Sequence, residues 1–216
     1  MPGDQAVVRL VNAVVLSKGF PLLSGVNLEV DRGSLSVVTG ANGAGKTSLL
    51  RLLAGLDSLT SGEGMVAGVN LNGGDLRLLR RRVGWLGHEG SFYADLSARE
   101  NLEFAAHALE RPADEVGSAL ERVGLTHRVD TTTKQLSAGQ RRRLGLAWLL
   151  VRRPELWLLD EPYASLDDAG RTFFDQLLRE VVVAGATVVI SAHDPLRSGG
   201  ISPQHLHMVG GRMRTT

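Results

Sequence analysis

At 216 residues, 43% of them hydrophobic and 22% charged, the chain is long enough to bury a full α/β core and is read as one domain over 1–216. Its net charge of +1 gives no reason to expect nucleic acid, and no stretch approaches the ~20 consecutive apolar residues that span a bilayer, so no direct membrane insertion is expected. The lack of cysteine excludes disulfides and thiolate metal sites, and Met1-Pro2-Gly3-Asp4 lacks the basic stretch and apolar core of a secretory signal.

In chain order, Val7 to Val15 and Gly25 to Val30 are predicted strands of an N-terminal β-rich layer, joined by a turn around Lys18-Gly19-Phe20-Pro21. Leu35 to Val38 reads as a buried strand, and Gly40-Ala41-Asn42-Gly43-Ala44-Gly45-Lys46-Thr47 after it fits G-x-x-x-x-G-K-[ST]. In that pattern backbone N–H groups wrap phosphates, and glycine is needed because a side chain would block the close approach. Lys46 reaches the β/γ oxygens and Thr47 holds Mg²⁺. Ser48 continues into a helix marked by Leu49, Leu50, Leu52 and Leu53 and ended by Gly55, whose N-terminus adds partial positive charge under the phosphates. Only three of the 24 basic residues are lysines (18, 46 and 134), which supports a specific task for Lys46, since Arg is a poor substitute for a compact ammonium.

Val83 to Gly87 forms a strand and turn leading to His88. Ser97-Ala98-Arg99-Glu100 is a capping box opening a helix through Leu102, Phe104 and Ala105, and Val116, Leu120 and Val123 make another apolar face. Thr131 to Thr133 reads as a polar linker. In Leu136-Ser137-Ala138-Gly139-Gln140, Ser137 caps a helix that runs through Leu144, Leu146, Leu149 and Leu150 and stops before Pro154, so its positive end forms an anion site. Leu156 to Leu159 is a second buried strand, ending in Asp160 and Glu161. Ligands of doubly wound sheets sit outside the carboxyl ends of strands. There Asp160 can steady Mg²⁺ through its water shell while Glu161 orients or deprotonates an attacking water. Phe173, Phe174, Leu177, Leu178 and Val181 mark a helix ending at Gly185. Thr187 to Ala192 has the composition of a central strand and ends at His193, whose imidazole can touch a γ-phosphate; His205 to Arg214 is a final hairpin. Taken singly, the acid pair also reads as a solvated turn, and the two histidines as bystanders.

As a set and in this order, these segments resemble the nucleotide-binding subunit of ATP-binding cassette transporters over nearly the whole chain. Gly40 to Thr47 is similar to that family's Walker A loop, Leu136 to Gln140 to its signature segment, Leu156 to Glu161 to its Walker B strand, Ser165-Leu166-Asp167 to its D-loop and His193 to its switch histidine. The resemblance implies a P-loop NTPase of ABC ATPase type. Its parts would be a mainly parallel sheet core (about 1–88 and 151–216), an N-terminal antiparallel β layer and an inserted helical subdomain (about 89–150). It also implies ATP and Mg²⁺, a homodimer with two ATP at the interface, Ser137 and Gly139 on the γ-phosphate held by the opposite subunit, Gln140 and Asp167 beside them, and Glu161 as general base. Phe20 stands where the family has an adenine-stacking aromatic, although the turn is short and a core role fits as well.

Two positions depart from the family pattern. Ala138 replaces a glycine at little cost, and His88 stands in place of the Q-loop glutamine. A neutral imidazole there can accept from a Mg²⁺-bound water or donate to phosphate, with a pH sensitivity that glutamine lacks. Phe92, Tyr93 and Leu96 either line the groove that receives a separate membrane subunit or belong to the core. His88, the Leu-Ser-Ala-Gly-Gln segment and His193-Asp194-Pro195 most resemble the haem-exporter ATPases of cytochrome c maturation, which work at the cytoplasmic face of the membrane with separate transmembrane subunits. The competing readings are another exporter ATPase (lipid, drug or peptide) and a soluble cassette ATPase of cofactor assembly.

Overall fold

The computed structural model describes residues 6–87, 92–164, 166–192 and 202–214. Two compact units divide the chain: Met1–Trp85, Pro154–Tyr163 and Asp168–Thr216 form one, Leu86–Arg153 and Ala164–Asp167 the other.

In the first unit, β1 (Ala6–Ser17) and β2 (Phe20–Asp31) make a hairpin closed by Lys18-Gly19, both at positive φ. The second strand therefore starts at Phe20, ahead of the predicted Gly25. Pro21 is accommodated because β2 is the sheet edge, where a missing N–H costs no ladder bond. Then come β3 (Leu35–Thr39) and α1 (Lys46–Leu53). Leu49, Leu50, Leu52 and Leu53 are all fully buried, and they share one core with inward residues of β1 and β2. Each such leucine contributes roughly 1.5–3 kcal/mol of transfer free energy.

The stretch from Ser61 to Arg82, to which sequence reading assigned no element, holds β4 (Ser61–Val66), β5 (Val69–Asn70) and α2 (Leu76–Arg82), followed by β6 (Val83–Leu86). Strands β4 and β5 complete an antiparallel sheet of order β2-β1-β4-β5.

The second unit is helical. In α3 (Ala98–Ala108) the capping box is formed: the Ser97 hydroxyl accepts from Glu100 N–H at 3.2 Å, and the Glu100 carboxylate accepts from Ser97 N–H at 2.7 Å, which lowers the pKa of that carboxyl. Helices α4 (Asp114–Arg122) and α5 (Ala138–Arg152) bury Val116, Leu120, Leu144, Leu146 and Leu149. Phe104 departs from its expected place: Leu102 and Ala105 are buried, but Phe104 is 56% exposed and meets Tyr93 edge-on at 5.3 Å. The threonines are not a loose linker either. Thr132 bridges to Ser97, and buried Thr133 donates to the Leu96 carbonyl while accepting from Asn101.

The chain returns to the first unit through β7 (Leu156–Asp160), α6 (Asp168–Val183), β8 (Thr187–Ser191), β9 (Gln204–Val209) and β10 (Arg212–Arg214). The second sheet has the order β10-β9-β3-β8-β7-β6, with β9, β3, β8 and β7 parallel and β10 antiparallel. The expected C-terminal hairpin is thus also an integral part of the core sheet. Among the described residues no helix is long and apolar enough to cross a membrane.

Asn101, 4% exposed, is the polar centre of the helical unit. Its Oδ1 accepts from Tyr93 N–H at 2.9 Å, and its Nδ2 lies within 3.0–3.3 Å of the Ser97 and Leu96 carbonyls and the Thr133 hydroxyl. Asn101→Ala is expected to destabilise the protein by about 1–3 kcal/mol, whereas Phe104→Ser, which loses only the surface contact with Tyr93, costs about 1 kcal/mol or less; denaturant unfolding of both variants checks the contrast.

Candidate active site

Parallel pairing sets the site. Across the sheet Val38 on β3 faces Ser191 on β8, and Ser191 faces Asp160 on β7, so all three strands deliver their carboxyl ends to one edge. The loop 40–47 leaves β3 at that edge and enters α1 through Gly45, whose φ of 103° is left-handed. Gly40 has a second reason to be glycine: at φ 146°, a Cβ would lie 2.4 Å from the Met208 carbonyl oxygen of β9. The β9–β10 turn also braces the loop, because Gly211 N–H donates to the Ala44 carbonyl at 2.9 Å while the Gly211 carbonyl accepts from Ser24 N–H on β2.

Lys46 is 6% exposed, and its ammonium donates to the Gly40 and Ala41 carbonyls at 2.7 and 3.3 Å. Ala41, Asn42 and Gly43 are exposed, as is Thr47, and Ser48 is half-buried. The Thr47 hydroxyl donates to Asp160 Oδ2 at 2.9 Å, and Ser191 Oγ donates to Asp160 Oδ1 at 2.5 Å. Asp160 itself is 5% exposed. Two hydroxyl donors replace the water this carboxylate has lost. Glu161 turns out of the strand with φ 46°, and its N–H donates to Ser191 Oγ at 2.9 Å.

These are oxygen donors suited to a hard divalent cation, so Thr47 and Asp160 fit Mg²⁺ by donor chemistry. Among the described residues no group of three or more His, Asp or Glu gathers to hold a metal, so phosphate oxygens would have to complete the shell. Downstream of the acids, Tyr163 donates its hydroxyl to Asp175 at 2.5 Å and stacks edge-on against Phe174 at 4.9 Å. Burial first, and Asp175 second, push its phenol above the ordinary range, so Tyr163 stays a neutral donor.

The signature segment lies in the helical unit. Ser137 caps α5: its hydroxyl accepts from Gln140 N–H at 3.2 Å, and Gln140 Oε1 accepts from Ser137 N–H at 2.9 Å. Ser137 is exposed and Gly139 half-exposed, so the helix N-terminus presents its amide end outward, while Gln140 spends its carbonyl oxygen on the cap. Arg142, buried on the same helix, donates to the Gly87 carbonyl at 2.7 Å. Phe20 is 76% exposed at the start of β2, which removes the core alternative. Tyr93 is 58% exposed, with Phe92 and Leu96 half-buried. Asp167 is exposed. His88, Ser165 and His193 lie outside the described residues. Ser191, Asn101 and the Gly211 brace were missed by sequence reading; the signal available for Ser191 was a polar residue at the end of an otherwise apolar strand.

Residues 23–164 match the family described as ABC transporter. The chain is 42% identical over 181 residues to the cytochrome c biogenesis ATP-binding export protein CcmA 2 of Cupriavidus metallidurans, covering 83% of this chain and 85% of that one. It is 40% identical over 193 residues to the cytochrome c biogenesis ATP-binding export protein CcmA of Bradyrhizobium diazoefficiens, covering 89% and 92%. Among solved structures it is similar to an ATP-binding cassette captured as a dimer in a post-hydrolysis state with ADP and Pi (25% identity, 96% of this chain and 97% of that chain, TM-score 0.88). It is also similar to cbiO1 of Clostridium perfringens, part of the ABC transporter complex cbiONQ (27% identity, 98% and 88%, TM-score 0.84).

Gly40→Ala would force the loop away from the Met208 carbonyl. The expected result is a loss of affinity for a fluorescent ATP analogue of about 10-fold or more, with a destabilisation of about 1–3 kcal/mol; unchanged titration curves would show that the loop tolerates the methyl group.

Proposed function

This chain belongs to the ABC transporter family, and from that premise we propose that it is the ATP-hydrolysing subunit powering an exporter of cytochrome c maturation, with haem as the cargo class. The hydrogen-bonded run Thr47–Asp160–Ser191–Glu161 beside the phosphate loop carries the catalytic part of the reading. The export part is supported by relatives at 40–42% identity whose names give cytochrome c biogenesis export. No feature among the described residues favours a lipid, drug or peptide exporter, or a cofactor-assembly ATPase, over it.

ATP lies with its phosphates on the N–H groups of residues 40–48 and its adenine on the exposed ring of Phe20. Lys46 exchanges neutral carbonyl partners for phosphate oxygens, which costs little because it gives up no ion pair there. Thr47 and Asp160 would hold Mg²⁺, which would neutralise phosphate charge when bound, and the role of His88 as a further partner to it follows from its place in the sequence. Glu161 takes the proton of the attacking water, and His193 holds that water in line.

A second copy closes the nucleotide with Ser137, Gly139 and Gln140 at the positive end of α5, and Asp167 lies along the same interface. Two ATP molecules thereby join a homodimer, and hydrolysis releases it, a two-state cycle that drives attached membrane subunits at the cytoplasmic face. The exposed Tyr93–Phe104 pair, with Phe92 and Leu96, is the surface that receives them.

Glu161→Gln is expected to lower kcat by about 100-fold or more while retaining ATP and shifting the protein to a dimer in size-exclusion chromatography with ATP; normal turnover would remove Glu161 from the role of base. Tyr93→Ala with Phe104→Ser should leave soluble ATPase activity within about twofold and abolish co-purification with the membrane subunits.

A further inference from the structure

Building on the ATPase reading, we infer that Ser191 is a positioning residue for the catalytic base, acting through the backbone of Glu161. It sits on β8, directly opposite Asp160 in the parallel register, and is fully buried.

A serine hydroxyl has one proton and two lone pairs. The nearby carboxylate takes the proton: Ser191 Oγ donates to Asp160 Oδ1 at 2.5 Å. With the proton committed there, the lone pairs face the other way, and one of them accepts Glu161 N–H at 2.9 Å. One hydroxyl therefore holds the last residue of β7, Asp160, and the residue that follows the strand, Glu161. Asp160 stays in the strand, buried, with its second oxygen on Thr47. Glu161 leaves the strand.

That departure is what makes the contact functional. Glu161 has φ 46°, a left-handed conformation that is unfavourable for a side-chain-bearing residue and persists only where neighbours hold it. Without the Ser191 acceptor, the Glu161 amide loses the partner that fixes the flip, and the carboxylate swings with it. A general base displaced by even 1 Å loses much of its effect, because the proton transfer it assists is steep in geometry. Adjacent Ala192 and Ile190 offer no hydroxyl, so the position is specific to residue 191.

Three readouts separate this role from a merely structural one. Ser191→Ala should lower kcat by about 10- to 100-fold with the Kd for ATP, from equilibrium titration, within about threefold of wild type. Ser191→Thr, which keeps the hydroxyl and suits a strand, should recover kcat to within about threefold. In a Glu161→Gln background, where no base remains to be placed, Ser191→Ala should cost less than about threefold in the residual rate. Unchanged kcat in Ser191→Ala, no recovery in Ser191→Thr at wild-type melting temperature, or an undiminished loss in the Glu161→Gln background would each overturn the inference. Absence of ATP turnover by the wild type, in contrast, would overturn the ATPase reading on which it rests.

Discussion

Strand register at the carboxyl edge of the larger sheet governs everything the site contains. Because β3, β8 and β7 run parallel and adjacent, Val38, Ser191 and Asp160 occupy one row, and the loop after Thr39 emerges beside the acids. Side-chain direction alternates along a strand, so a slip of one residue in β7 would turn Asp160 to the opposite face of the sheet. The fully buried runs on these three strands prevent that slip, since each faces core on both sides. The chemistry thus needs short side chains only: hydroxyls and a carboxylate reach each other directly.

Burying Lys46 and Asp160 near one edge would be expensive without partners. The Lys46 ammonium donates to backbone carbonyls, and the Asp160 carboxylate accepts from the Thr47 and Ser191 hydroxyls. Carbonyl partners satisfy the Lys46 charge without competing strongly with a phosphate, whereas a direct ion pair would have to be broken first. The same economy is visible at α5, where Ser137 and Gln140 cap each other reciprocally and leave the amide end of a 15-residue helix facing outward.

Much of this was legible in the residues. The Gly-rich loop between strand and leucine-rich helix, the acid pair ending an apolar run, the capping box at Ser97 and the helix cap at Ser137 are local signals, and all the elements they mark are present. The stretch from Ser61 to Arg82 was not. Ser61-Gly62-Glu63-Gly64 has low strand propensity, yet β4 forms because Gly62 approaches the Asn12 backbone so closely that a Cβ would lie 2.3 Å from its carbonyl oxygen. Tertiary contact there overrides propensity. Phe104 misled in the other direction: its apolar character matched a helix face, but it falls between the buried pairs Asn101/Leu102 and Ala105/Ala106 and packs on Tyr93 at the surface. Ser191 and Gly211 act through partners far along the chain, which no local window contains.

The brace from Gly211 to Ala44 and the pairing of β9 with β3 also bear on how the molecule is made. Ser36 on β3 bonds Gln204 on β9 across 168 positions, so during synthesis the strand that precedes the phosphate loop waits for a partner that leaves the ribosome far later. Until then β3 has an open, apolar flank, the kind of edge that recruits chaperones or other nascent chains. Chain closure of this length slows folding far more than it weakens the finished protein. The phosphate loop therefore gains its full support only when the last strands of the sheet have paired.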